Sequence, residues 1–323
     1  MTLVTNEHTG VLLINLGTPS APTPQAVKCY LAEFLSDPLV VSIWPPLWKY
    51  LLHTLILPFR SKKSAALYRS IWLPSGSPLM VYSLTQTQAL QNKIIASHLH
   101  THVTLAMRYG KPSISEGIQE LRSLGIKKIT VIPLYPQYAH ATTGSAKFAF
   151  LSALESQHTS FDYKFIEDFY AHPLYIEALA TQIENSWKKR SRGEKLLLSF
   201  HGLPKTHSQQ SDSYEKQCLN TAHLLAERLH LNKVGYEIVF QSRFGFQKWL
   251  QPSCAAALKK LAENGCQSVD IFCPGFVADC LETLEEIAVT NKKIFLNAGG
   301  RSFHYIPALN ASPLFIETLF SLI

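Results

Sequence analysis

Lys195-Leu196-Leu197-Leu198-Ser199-Phe200-His201-Gly202-Leu203-Pro204 is the stretch on which the reading of the fold turns. Its first six residues form an almost unbroken apolar run, the pattern of a strand covered on both faces. Glycine then permits a tight turn with close approach of a ligand, and proline fixes the exit of the chain. A histidine released at the carboxyl end of a buried strand stands where open α/β sheets bind their ligands. An imidazole there accepts a proton near neutral pH or binds a borderline metal. The competing reading is a histidine hydrogen-bonded within its own loop.

Similar runs recur outward from this stretch, at residues 11–16, 102–107, 128–134, 163–168, 236–241, 268–273 and 293–296. Amphipathic segments lie between them, at 113–124, 173–189, 213–229, 252–264 and 282–289. Strand–helix alternation predicts right-handed crossovers and parallel sheets. A chain of 323 residues exceeds one ordinary core, and the eight strands divide four and four. The predicted class is therefore α/β, with two Rossmann-like, doubly wound parallel-sheet domains and a ligand cleft between them. The first spans residues 1–170 and carries an insertion within 19–97. The second spans 171–323 and ends in a closing helix over 313–322. No low-complexity linker and no short-period repeat interrupts this pattern.

Hydrophobic residues make up 46% of the chain and charged ones only 16%, enough to bury large surfaces and leave an apolar one for a membrane or a greasy ligand. The formal net charge of +7 favours anionic small molecules or lipid heads. The basic residues are scattered apart from Arg60, Lys62 and Lys63 and the group Lys188, Lys189 and Arg190, which argues against nucleic acid. Six cysteines occur without a CxxC pair, so they read as reduced thiols of a cytosolic protein. The first ten residues lack the basic start and apolar core of a signal peptide. Residues 38–59 are long enough to span a bilayer, but four prolines, Lys49 and His53 argue against a spanning helix. They predict instead a short helix from Pro46 with Trp48, Leu51, Leu52 and Leu55 on one apolar face. Trp44, Leu47 and Trp48 would then be placed at a lipid interface.

Other strand ends carry polar groups. Arg108, in Met107-Arg108-Tyr109-Gly110, offers a fixed charge for a substrate carboxylate. Residues 135–145, YPQYAHATTGS, form a loop of tyrosines and small hydroxyls suited to an anion. Gly17 makes a glycine turn after the first strand, without a dinucleotide fingerprint. In PGFVADCLETLEEI, residues 274–287, Asp279 is the expected helix N-cap with Glu282 at the capping-box position. Glu282 and Glu286 share a helix face and are able to pass a proton or a hard cation along it. A solvated acidic face is the plainer alternative.

Together these segments resemble the ferrochelatase family over nearly the whole chain. The resemblance is carried by INLGTP at 14–19, the YRSI to GSPL region from Tyr68, MRYG at 107–110, YPQYAHATTGS at 135–145, SFHGLP at 199–204, FQSRFG at 240–245 with Trp249, and the 274–287 run. It implies a chelatase-like pair of domains that insert ferrous iron into protoporphyrin IX. His201, Glu282 and Glu286 are then the catalytic residues, with His201 and Glu282 as the metal site. Leu16, Arg108, Tyr109, Tyr138, Trp249 and Phe276 contact the porphyrin, with Tyr68 and Ser77 as further pocket residues. The segment around Pro45–Pro58 becomes an apolar lip facing a membrane monolayer. The protein is expected in the cytoplasm or peripherally on the inner membrane surface, with iron as substrate, no tightly bound cofactor and no Fe–S cluster. Cys280 stands where many relatives have a histidine, leaving His201 and Glu282 as the main pair. The residues leave open a coproporphyrin chelatase, a cobalt or sirohydrochlorin chelatase of the same fold, and a non-catalytic porphyrin or haem carrier.

Overall fold

A computed structural model describes residues 8–41, 45–205, 208–243 and 247–323. Among these residues eight strands form two four-stranded parallel sheets: β1 (Thr9–Gly17), β2 (Thr101–Tyr109), β3 (Lys128–Pro133) and β4 (Asp162–Phe165) in one, and β5 (Lys195–His201), β6 (Tyr236–Gln241), β7 (Ser268–Phe272) and β8 (Ser302–Tyr305) in the other. The spatial orders, β2-β1-β3-β4 and β6-β5-β7-β8, are the same topology used twice. Each central strand is buried along most of its length, because helices cover both sheet faces and leave no polar side.

The first unit comprises the chain to Tyr135, His140–Asp168 and Leu319–Ile323; the second comprises Pro136–Ala139 and Phe169–Thr318. In the first, Leu12, Ile14 and Val131 pack with Ile118 and Leu121 of α5 (Ile114–Ser123) and Phe150 of α6 (Ser145–Ser156). In the second, Leu197, Val239 and Ile271 pack with Leu258 of α9 (Cys254–Glu263) and Phe295 of α10 (Lys292–Asn297). Each such side chain contributes about 1.5–3 kcal/mol of burial. The remaining helices are α1 (Pro24–Leu35), α2 (Pro45–Leu51), α3 (Leu57–Ile71), α4 (Pro78–Ala96), α7 (Pro173–Lys189), α8 (Ser208–Arg228) and α11 (Pro313–Ser321). π-Helical segments occupy Leu52–Ile56, His140–Gly144 and Glu282–Asn291.

The halves also share their second crossover. The amides of Met107 and Phe240 donate to the carbonyls of Pro112 and Pro252, and Ser113 and Ser253 then cap α5 and α9. Lys111–Pro112 and Gln251–Pro252 are both cis.

Three sequence expectations are corrected. Residues 293–296 are helical, and the eighth strand lies later, at Ser302–Tyr305. A four-residue apolar run does not distinguish a buried strand from a helix face, and here Phe295 alone turns fully inward. Asp279 caps no helix: its carboxylate accepts from Thr283, Tyr305 and Asn310 side chains, and the helix from Glu282 starts without a side-chain cap. In the 45–71 region Leu52 is fully buried and the Trp48 indole donates to the Leu35 carbonyl at 2.7 Å. The exposed apolar set is Leu47, Tyr50, Leu55 and Phe59. Trp44 lies outside the described residues. Among the described residues no helix is long and apolar enough to cross a membrane.

Candidate active site

In the second unit, β5 delivers His201 at its last position. The imidazole Nδ1 lies 2.7 Å from the Gly202 carbonyl. A carbonyl only accepts, so Nδ1 carries the hydrogen and a neutral ring keeps a lone pair on Nε2. Tyr214 fixes the strand end by donating its hydroxyl to the His201 carbonyl at 3.0 Å. Glycine is needed at 202: a Cβ would stand 2.8 Å from the Gln241 carbonyl oxygen and 3.2 Å from the Trp249 ring. Phe276 places its ring 6.3 Å from that of His201. Imidazole, indole and benzyl surfaces thus surround one turn.

Glu282 and Glu286 ride on the π-helix that follows β7. Such i→i+5 segments are rare and recur at functional sites. The Glu286 carboxylate accepts two bonds from Ser242, one from its amide at 2.7 Å and one from its hydroxyl at 2.6 Å. Burial pushes the Glu286 pKa up; the Ser242 donors and His201 oppose the rise, Glu282 adds to it, and the group ends above the ordinary carboxylate value. A half-buried carboxyl in that condition is suited to exchanging protons. Burial, followed by the neighbouring Glu282 charge, pushes the Cys280 thiol well up, which makes it a poor thiolate ligand.

The first unit collects different chemistry. Arg108 donates from Nε to the Ser145 hydroxyl at 2.6 Å and from Nη2 to Asp37 at 2.6 Å. Tyr109 and Ser145 also donate to that Asp37 oxygen, at 2.8 and 2.5 Å. Burial works to raise the Asp37 pKa, but the bonds from Ser145, Tyr109 and the Leu39 amide, with the Arg108 charge, hold it below its usual value. Asp37 was invisible to sequence reasoning, yet it neutralises the cation chosen for a substrate carboxylate. Tyr109 is buried at 1% exposure, with the Arg108 guanidinium 4.5 Å from its ring centre.

Leu16 is half-buried at the end of β1, its amide held by the Asn15 side chain. Tyr138 is half-buried, its amide donating to Gln217 at 2.6 Å. Tyr68 is a buried residue of α3 with its ring edge-on to Trp72. Ser77 is the buried N-cap of α4, its hydroxyl accepting from the Met80 amide. Within the second unit His201, Trp249 and Phe276 come together; within the first, Arg108 and Tyr109 do. Among the described residues no three His, Cys, Asp or Glu side chains form a ready metal cage.

Two matched doubly wound units, with a histidine and acidic residues at the strand ends of one, define a chelatase-type α/β protein. Solved structures with this fold include SirB from Bacillus subtilis with Fe3+ (TM-score 0.57, 8% identity, covering 97% of this chain and 95% of that one). Another is the cobalt complex of the sirohydrochlorin chelatase SirB from Bacillus subtilis subspecies spizizenii (TM-score 0.53, 10% identity, 98% and 93% covered). The sequence model of the ferrochelatase family matches residues 8–323. The ferrochelatase of Methylococcus capsulatus is 48% identical over 99% of this chain and 97% of its own. That of Aeromonas hydrophila is 46% identical over 98% and 97%. The chain belongs to the ferrochelatase family, and it is an enzyme that inserts metal into a porphyrin.

Proposed function

We propose that the chain inserts ferrous iron into protoporphyrin IX, releasing the pyrrole protons and forming protohaem, with His201 and Glu282 at the insertion site. The observation that carries this reading is the His201 ring: its Nδ1 is committed to the Gly202 carbonyl, which reserves the Nε2 lone pair. Taking a pyrrole proton and ligating ferrous iron both require that lone pair. Glu286, raised by burial, takes protons from the reaction centre, and Glu282 meets iron as it sheds water. Leu16, Trp249 and Phe276 supply apolar walls. Their contact energy is available to hold the macrocycle bent, so that its nitrogen lone pairs leave the ring plane. Arg108, with Nε and Nη2 engaged, offers Nη1 to a propionate, and Tyr109 supports it. Tyr138, Tyr68 and Ser77 are the further residues assigned to the porphyrin, with Ser77 capping α4 and Tyr68 packed on Trp72 of the same turn.

Iron enters as substrate, and the protein works without a resident Fe–S cluster. Burial pushes the thiols of Cys218, Cys273 and Cys280 well up and that of Cys254 to about 12, which disfavours thiolate ligation. The protein contacts a membrane peripherally through its apolar lip. Supporting this, Tyr50 is 67% and Phe59 is 77% exposed on the continuous helical run that α2, the π-segment Leu52–Ile56 and α3 form, near Lys62 and Lys63 in the sequence.

The test is anaerobic incubation of the purified protein with protoporphyrin and ferrous iron, following the absorbance change of metalation. Turnover that His201→Ala abolishes is expected. Faster turnover with coproporphyrin or sirohydrochlorin would move the substrate assignment, and tight porphyrin binding without turnover would make the protein a carrier. Flotation with anionic liposomes is expected to fall in Tyr50→Ser/Phe59→Ser; equal flotation would remove the membrane contact.

A further inference from the structure

β6 ends beside β5 with Gln241 directly paired to His201. The two residues are joined again one step on, where the Gly202 amide donates to the Gln241 carbonyl at 2.8 Å. The Gln241 side chain is 2% exposed and fully employed. Its Oε1 accepts the Ser199 hydroxyl at 2.8 Å, two residues before His201 on β5. Its Nε2 donates to the backbone carbonyl of Glu282 at 3.1 Å. One amide therefore spans from the histidine strand to the first residue of the π-helix.

Ser242 completes the link. Its φ is +66°, a conformation that residues with a Cβ seldom adopt. A turn selected for geometry alone would favour glycine there. Serine differs from glycine by the hydroxyl, and that hydroxyl goes to Glu286 Oε2 while the reoriented amide goes to Oε1. The uncommon backbone thus turns both donors onto a single carboxylate. Strain held in place at a site of this kind points to function.

We propose that Gln241 and Ser242 are positioning residues: a two-point clasp that fixes the π-helix against the histidine strand, Gln241 by the Glu282 backbone and Ser242 by the Glu286 carboxylate. This rests on the reading of His201, Glu282 and Glu286 as the insertion site. Gln241 sets where the helix begins relative to His201. Ser242 sets which way the Glu286 oxygens face. Neither touches substrate in this assignment, so its signature lies in turnover and not in porphyrin affinity. Displacements well under a helical turn are sufficient, since about 1 Å of misplacement costs up to about 100-fold in rate.

The experiment compares Ser242→Ala with Ser242→Gly in the full chain, and Gln241→Leu with Gln241→Glu, measuring kcat and KM for protoporphyrin metalation together with thermal stability. Both serine variants lose the hydroxyl, but only glycine relieves the backbone. The clasp predicts a fall in kcat of about 10- to 100-fold in both, with porphyrin KM unchanged, although Ser242→Gly is no less stable than wild type. Gln241→Glu keeps the acceptor for Ser199 but loses the donor to Glu282, and is expected to lose kcat as Gln241→Leu does. Wild-type kcat in Ser242→Gly, or losses that follow thermal stability across the set, would overturn the clasp while leaving the proposed reaction standing. Absence of turnover in the wild type would overturn both.

Discussion

Asp37 of the first unit and Glu286 of the second are both shielded carboxylates bonded by a serine, and they end with opposite proton affinities. Asp37 has Ser145, Tyr109 and the Leu39 amide as donors and the Arg108 cation beside it, and these outweigh the burial that would raise its pKa. Glu286 has burial raising it and two Ser242 donors opposing, with no ion pair to an arginine or lysine among the described residues, and it stays raised. The strands that lead to them follow one topology. The difference teaches that the duplicated scaffold specifies where polar groups gather, while the donors around each carboxylate, several hydrogen bonds backed by a cation for Asp37 and Ser242 for Glu286, decide whether it becomes a fixed anion or an exchanger of protons.

The largest expected effect separates the two units by chemistry. His201→Ala removes the lone pair that the Gly202 carbonyl reserves, and metalation is expected to fall by about 10²- to 10⁴-fold in kcat. Stopped-flow or steady-state absorbance reads it directly; a loss under tenfold would transfer the proton chemistry to the glutamates. Asp37→Ala belongs to the other class. It leaves Arg108, at 17% side-chain exposure, without its counter-ion and strips an acceptor from Tyr109 and Ser145. A cost of about 3 kcal/mol in urea unfolding is expected. Glu286→Gln retains an acceptor for Ser242 and is expected to cost no more than about 1 kcal/mol. Equal costs would erase the distinction between the two carboxylates.

A pH series sharpens it through sign. The Asp37 pKa is lower folded than unfolded, so its stabilisation is present above the ordinary value of 3.8 and is lost as pH falls through the folded value. The Glu286 pKa is higher folded, so its contribution is present below 4.5 and is lost as pH rises through the folded value. In the metal-free protein, Asp37→Asn is expected to flatten the acid limb of stability, and Glu286→Gln the limb above pH 4.5. Thermal melts across the range check both, and a shared limb would contradict the assignment.

The sheets were largely legible because parallel strands buried on both faces are near-continuous apolar runs, and 236–241 matches β6 to the residue. His201 was legible because a strand end followed by Gly-Leu-Pro is local information. The clasp and Asp37 were not, because their partners lie far off in sequence: Asp37 is 71 residues from Arg108, and Ser242 is 44 from Glu286. The π-helix carries no pattern of its own, since i→i+5 bonding lacks a distinctive apolar period. A signal did exist in the long-period duplication. His172-Pro173-Leu174-Tyr175-Ile176-Glu177 repeats as Ser312-Pro313-Leu314-Phe315-Ile316-Glu317, and Lys111-Pro112-Ser113 as Gln251-Pro252-Ser253. The matched amide bonds of Met107 and Phe240 to the Pro112 and Pro252 carbonyls then set Tyr109 against Ser242, which draws attention to Ser242 as the counterpart of a strand end already marked for function.

The smallest expected effect concerns that same duplicated corner. Ser113 and Ser253 begin equivalent helices, but their caps are unequal. Ser113 forms a reciprocal capping box, its hydroxyl accepting from the Glu116 amide at 3.2 Å while Glu116 accepts from the Ser113 amide at 2.7 Å. Ser253 makes one long bond, from the Ala256 amide at 3.4 Å. Glu116 also pairs with Lys111, and these bonds hold its carboxyl near a pKa of about 2. Ser113→Ala strands one amide and loosens a carboxylate that organises the first turn, at an expected cost of about 1 kcal/mol; Ser253→Ala is expected to cost about half as much. Fraying of this size is local, so hydrogen exchange at the first-turn amides of α5 and α9 measures it better than global unfolding. Faster exchange in α5 than in α9 after the matched substitutions is the outcome that the capping box requires. The reverse would mean that tertiary packing, and not the cap, holds the start of each helix.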